Sequence, residues 1–113
     1  VSKKIVIKRN DTKPLFTDIP TIDGANIPFS TLDGYTVSFL LKGGSLEVKR
    51  AASIVSKTID AVEVAEFQYQ PVPDDVSHAG TFRQEWELRA PDGKLLTFPN
   101  GDYNQVIIKP DLG

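Results

Sequence analysis

The sequence predicts an all-β fold, an antiparallel β-sandwich of about seven to nine short strands. Three observations predict it. Apolar side chains recur at every second position in several segments, the period expected where one face of a sheet is buried. Turn dipeptides at Asp23-Gly24, Asp33-Gly34, Gly43-Gly44, Asp92-Gly93 and Asn100-Gly101 punctuate these segments. The eight prolines spread through the 113 residues argue against long helices.

Taken in order, Lys4 to Lys8 reads as a first strand around Ile5-Val6-Ile7. Leu15-Phe16 reads as a short edge piece after Pro14, whose nitrogen cannot donate a ladder hydrogen bond. Ile19 to Leu32 is the longest irregular region, expected to be mobile or to contact a partner. Tyr35 to Lys42 is the clearest inner strand, with Tyr35, Val37, Phe39 and Leu41 on one face. Leu46 to Val55 and Val62 to Tyr69 are rich in strand formers. In the latter the apolar phase moves from Val62 and Val64 to Ala65, Phe67 and Tyr69, which predicts a bulge and a kink near Val64.

Pro73-Asp74-Asp75-Val76 suits a single helical turn, with Pro at its first position and carboxylates at its positive end. Thr81 to Arg89 alternates again: Phe82, Trp86 and Leu88 point inward with Gln84 as the polar member of the row. Asp92-Gly93 predicts a hairpin because glycine accepts the positive φ such turns demand. Asn100-Gly101 predicts a second, giving three antiparallel strands in series: Thr81 to Arg89, Lys94 to Phe98 and Tyr103 to Lys109.

Length favours one core, so residues 1–113 are expected to form a single domain. Hydrophobic residues at 40% and charged residues at 25% are ordinary for a globular chain, and a net charge of −2 supplies no general attraction to nucleic acid. Without cysteine there is neither a disulfide framework nor a thiolate metal site. Apolar runs such as Phe39-Leu40-Leu41 fall far short of the ~20 residues that span a bilayer, and nothing after Lys3-Lys4 resembles a signal peptide. Cytoplasmic synthesis without a membrane partner is therefore expected.

Candidate chemistry is sparse. Asp74, Asp75 and His78 place carboxylates near the single histidine, but a zinc site generally needs three or four N or S ligands. The competing reading is capping of a surface turn. Ser45 in Gly43-Gly44-Ser45-Leu46 lacks the strand-to-helix elbow of a nucleophile motif, and the two glycines lack the Lys-Ser/Thr pair of a phosphate loop. Glu85 and Glu87 share an outer strand face and read as solvated. Lys3, Lys4, Lys8, Arg9 and Lys13 make the N-terminal end basic, either an arm toward an acidic neighbour or an edge that resists aggregation. Trp86, Tyr35, Tyr69 and Tyr103 invite a sugar-binding platform; core packing is the reading preferred for Trp86, and exposure for Tyr103. No catalytic, metal or cofactor-binding residue is expected.

Five stretches carry a resemblance. They are Asn10-Asp11-Thr12-Lys13-Pro14-Leu15, Gly34-Tyr35-Thr36-Val37-Ser38-Phe39, Gly80 to Leu88, Asp92 to Pro99, and Ile107-Ile108-Lys109-Pro110-Asp111-Leu112. The ordered set resembles the immunoglobulin-like N-terminal domain of tailed-phage baseplate upper proteins, over almost the whole chain. The resemblance implies an immunoglobulin-like sandwich in a virion structural protein, attaching a receptor-binding or fibre assembly to the baseplate or tail. Its implied partners are other virion proteins in a symmetric homo-oligomeric arrangement, and no catalytic residues come with it. Such baseplate proteins continue into a linker and further domains, whereas this sequence ends at Gly113. Either the sequence is a fragment of such a protein or the module stands alone as a capsid decoration or head-fibre protein, and a carbohydrate-binding module is a further alternative.

Overall fold

A computed structural model describes residues 1–110; the expectations for Asp111-Leu112 lie outside the described residues. The chain is all-β: β1 (Lys4–Lys8), β2 (Phe16–Asp18), β3 (Thr21–Ile22), β4 (Ala25–Asn26), β5 (Thr36–Gly43), β6 (Leu46–Ile59), β7 (Val62–Tyr69), β8 (Gly80–Arg89), β9 (Leu95–Phe98) and β10 (Asn104–Lys109). Two 3-10 turns, Phe29–Leu32 and Pro73–Val76, complete it, the second where the proline and carboxylates predicted one.

Strand β6 joins the two layers. Its first half pairs with β5 (Leu46 with Gly43 through Ala52 with Val37), and its second half with β7 (Ser53 with Gln68 through Ile59 with Val62). One layer then runs β1-β10-β8-β5 into the first half of β6, with β9 also on β8. The other layer is the second half of β6, then β7 and β2. Pairing β2–β7–β6 against β5–β8–β9/β10 reproduces the B–E–D and C–F–G arrangement of an immunoglobulin-like sandwich. All of these contacts are antiparallel except β1 with β10, which is parallel.

Alternation places the core as expected. Val37, Phe39 and Leu41 of β5 and Phe82, Trp86 and Leu88 of β8 are buried, and they face Phe16, Ala65 and Phe67 of the second layer. Ring pairs cross between the layers: Phe16–Phe39 at 4.9 Å, Phe67–Trp86 at 5.7 Å and Phe67–Phe98 at 5.8 Å between centroids. Offset and edge contacts of this kind add to area burial, so the aromatic cluster both fills and orients the sandwich.

Four expectations need correction. The β6–β7 ladder keeps one register from Ser53–Gln68 to Ile59–Val62, so there is no bulge at Val64. The apolar phase doubles instead because Val64 is buried as well as Ala65 and Phe67, and the neighbouring chain lies along that edge: Ala65 N–H donates to Ile27 O at 2.8 Å and Pro28 bridges Val64. The strand beginning at Leu46 runs on past Val55 to Ile59 and turns through Asp60-Ala61, both at positive φ (51° and 64°). That two-residue hairpin turn uses no glycine and so gave no signal.

The Asn100-Gly101 turn does not fold β10 back on β9. Both strands run antiparallel to β8 along the same edge, β9 beside Trp86–Arg89 and β10 beside Gly80–Gln84, so the chain jogs rather than reverses. A cis Phe98–Pro99 peptide stands at the jog. The region from Ile19 to Leu32 is not irregular: β3 and β4 form a hairpin around Asp23-Gly24, and Ile27 enters the core.

Candidate functional site: surfaces and corners

The Asp74, Asp75 and His78 cluster is taken apart by the fold. Asp75 is fully buried, drawn inward by the 3-10 turn. Its Oδ1 accepts from Arg50 Nε at 2.9 Å, and its Oδ2 from the Tyr69 hydroxyl at 2.5 Å and the Val72 N–H at 3.0 Å. One carboxylate thus ties the turn to β6 and β7. Burial, reinforced by the bond to Asp75, pushes the Tyr69 phenol well above its ordinary range, and the bond to Asp75 likewise raises the Arg50 guanidinium. Asp74 and His78 stay exposed, with His78 Nδ1 3.0 Å from Ser77 Oγ. The three side chains do not converge, and among the described residues no group of three or more His, Asp or Glu could hold a metal ion.

A second buried polar group was only partly legible. Gln84, the odd member of the inward row, accepts at Oε1 from Asn104 Nδ2 at 2.8 Å and donates from Nε2 to Glu85 O at 2.9 Å. The same Asn104 amide donates to Asp18 Oδ2 at 3.0 Å, linking β10 in one layer to β2 in the other. Sequence reasoning missed Asn104 and Asp18, although the period-two spacing of Asn104 with Val106 and Ile108 already puts Asn104 inward.

The aromatic residues leave little for a stacking platform. Trp86 is 1% exposed, and Tyr69 stacks on Phe39 at 4.5 Å. Tyr35 packs against the core. Tyr103 is half-buried rather than exposed, and the Arg83 guanidinium lies 4.3 Å over its ring. The surface clefts are shallow; one of about 420 Å³ lies between Asp18, Asp23, Pro99 and Asp102. Gly43-Gly44 is a hairpin corner. Gly44 takes φ +55°, and at Gly43 a Cβ would run into the Phe82 ring and come within 2.9 Å of Thr81 O.

What remains on the outside is edges. β1 shows Lys4, Val6 and Lys8 outward while Ile5 and Ile7 face in, and among the described residues its edge away from β10 carries no strand. β9 presents Leu95 and Leu96, about half exposed at 49% and 50%, on an edge that no other strand of the described residues pairs. The far end of the β6–β7 hairpin is exposed from Ser56 to Glu63 save for the half-buried Ile59. No family model matches the chain, and no curated protein matches it in sequence.

Proposed function

We propose that the protein is a docking module of a tailed-phage virion, an immunoglobulin-like body that joins a receptor-binding or fibre assembly to the baseplate or tail through its edges and loops. It works by contact, not catalysis, and its partners are other virion proteins. The observation that carries this reading is the β6–β7 hairpin, which outreaches the core and presents side chains on both faces to the surroundings. A rigid sandwich held by buried aromatic rings and by inter-layer hydrogen bonds suits such a role, since a body that deforms little transmits position from one neighbour to the next.

The resemblance adds support. Of the stretches that carry it, Gly34 to Phe39, Gly80 to Leu88, Asp92 to Pro99 and Ile107 to Lys109 belong mainly to β5, β8, β9 and β10, neighbours in one layer. The related reading, a capsid decoration or head fibre, calls on the same surfaces at another location. A carbohydrate-binding role rests on Tyr103, one face of which Arg83 covers. Mass spectrometry and cryo-electron microscopy of purified particles from the genome that encodes the chain are the test. The chain is expected at the baseplate or tail in fixed stoichiometry; its absence from washed particles would overturn the proposal, and a location on the head shell would favour the related reading.

A further inference from the structure

On β1 the residues that leave backbone groups unpaired are the same ones that carry charge. Gln105 N–H donates to Lys3 O at 2.7 Å and Arg9 N–H donates to Lys109 O at 2.8 Å, so by alternation Ile5 and Ile7 give their backbone groups to β10. Lys4, Val6 and Lys8 turn theirs the other way, toward the edge on which no strand of the described residues lies. One of these groups is answered locally, Lys8 O by the Asp11 N–H at 3.1 Å. The side chains of the three stand on the outer face of the sheet, with Val6 48% exposed.

The charge on that face is one-sided. Register sets Lys8 directly beside Lys109, and Lys4 in one cross-strand row with Gln105, Arg83 and Lys42. Lys42 has Glu47 at 3.6 Å, and Arg83 lies over the Tyr103 ring. Among the described residues no carboxylate pairs with Lys4 or Lys8. Like charges in register across a ladder repel, and a carboxylate placed beside Lys8 and Lys109 turns that repulsion into attraction. The same lysines discourage β1 from pairing with the β1 of a second copy, so the edge selects an acidic visitor from another chain. A phosphate chain or an anionic glycan would meet the cations and leave the strand-spaced N–H and C=O groups unanswered. A peptide backbone answers both.

We propose that β1 receives an extended acidic segment of a partner protein, which adds to the sheet as an outer strand and sets two carboxylates and the apolar residue midway between them against Lys4, Lys8 and Val6. That pattern reads the same from either end, so parallel and antiparallel entry both satisfy it. The contact deepens the docking-module reading by giving the chemistry of the partner, and rests on it.

Amide NMR of the full chain, titrated with a synthetic peptide, tests it. The probe is threonine throughout, apart from a central valine and a glutamate two residues to each side of it. Shifts are expected to concentrate on Lys4 to Lys8 and the facing residues of β10, to saturate at millimolar peptide, and to weaken as salt is added. Methylating the backbone nitrogens of the peptide keeps its charge and removes its donors, and should weaken binding by at least about tenfold. Lys4→Glu/Lys8→Glu should lose as much, and should instead admit a peptide with lysine in place of glutamate. Val6→Pro removes a donor from the open edge and leaves the β10 ladder intact, and is also expected to weaken binding about tenfold. Amide spectra unchanged away from β1 verify that the variants are folded. No shift on β1 at millimolar peptide, equal binding of the methylated peptide, or indifference to the charge reversal would overturn the proposal. Tighter binding of a single-stranded oligonucleotide than of the peptide would overturn it too. A chain that is present in particles yet takes no acidic peptide loses this contact and keeps the docking reading. A chain that takes the peptide yet is missing from particles does the reverse.

Discussion

Strand β6 serves two regions that contrast sharply. At Arg50 it helps close a corner in which a buried carboxylate has three partners, drawn from β6, β7 and the segment that enters the 3-10 turn. A few residues on, from Ser56 to Ile59, its side chains touch little beyond their own hairpin, and most are exposed. The difference teaches that strand content alone does not report where a protein is stable. Hydrogen-bonded ladder is common to both regions; what separates them is whether the side chains remove one another from water.

The largest expected break of this contrast is Asp75→Ala. It leaves the Tyr69 hydroxyl and the Val72 N–H without their buried acceptor, while the exposed Arg50 guanidinium returns to water, and should cost about 3 kcal/mol in denaturant unfolding. Asn104→Ala comes next at about 2 kcal/mol, because Gln84 and Asp18 lose the donor that joins the two layers. On the hairpin the direction reverses. Ala61→Gly should stabilise by about 1 kcal/mol, since an alanine at φ 64° sits where only glycine is unstrained.

Charge removal at the tip is the smallest effect: Glu63→Ala should shift stability by no more than about 0.5 kcal/mol. The contrast with Asp75 is sharpest between these two carboxylates.

The pH dependence sharpens the same comparison. The Tyr69 phenol is raised in the folded state above its ordinary value of 10.0, so the folded form favours the proton more than the unfolded form does. The resulting stability is complete below pH 10 and is lost as pH climbs through the folded-state value. Unfolding followed between pH 8 and 12 should therefore show an alkaline decline that Tyr69→Phe flattens and that tip substitutions leave alone.

How far the sequence foretold these regions follows from what each residue could signal. Alternation in Tyr35 to Lys42 and Thr81 to Arg89 fixed the core rows, because one-sided burial writes itself directly into a period of two. Glycine marked the turns at Asp23-Gly24, Gly44 and Asp92-Gly93. The Asp60-Ala61 turn carries no such mark, and with it the full length of β6 went unseen. Val64 misled because neighbouring chain covers a position whose phase points away from the core, which imitates a bulge. The jog after β9 was hidden for another reason: Asn100-Gly101 encodes a turn, but whether the chain then reverses depends on which strand has a free edge. The Asp75 corner required tertiary knowledge of Arg50 and Tyr69, 25 and 6 residues away in sequence.

Hydrogen exchange of the chain, free at low concentration and again within purified particles, tests most directly the claim that the exterior is the working part. The account predicts that protection gained on assembly concentrates in Lys4–Lys8 and in the hairpin from Ser56 to Glu63, while Asp74–His78 and the core rows of β5 and β8 exchange as before. Protection gained around Asp74–His78 with the hairpin and β1 unchanged would contradict it.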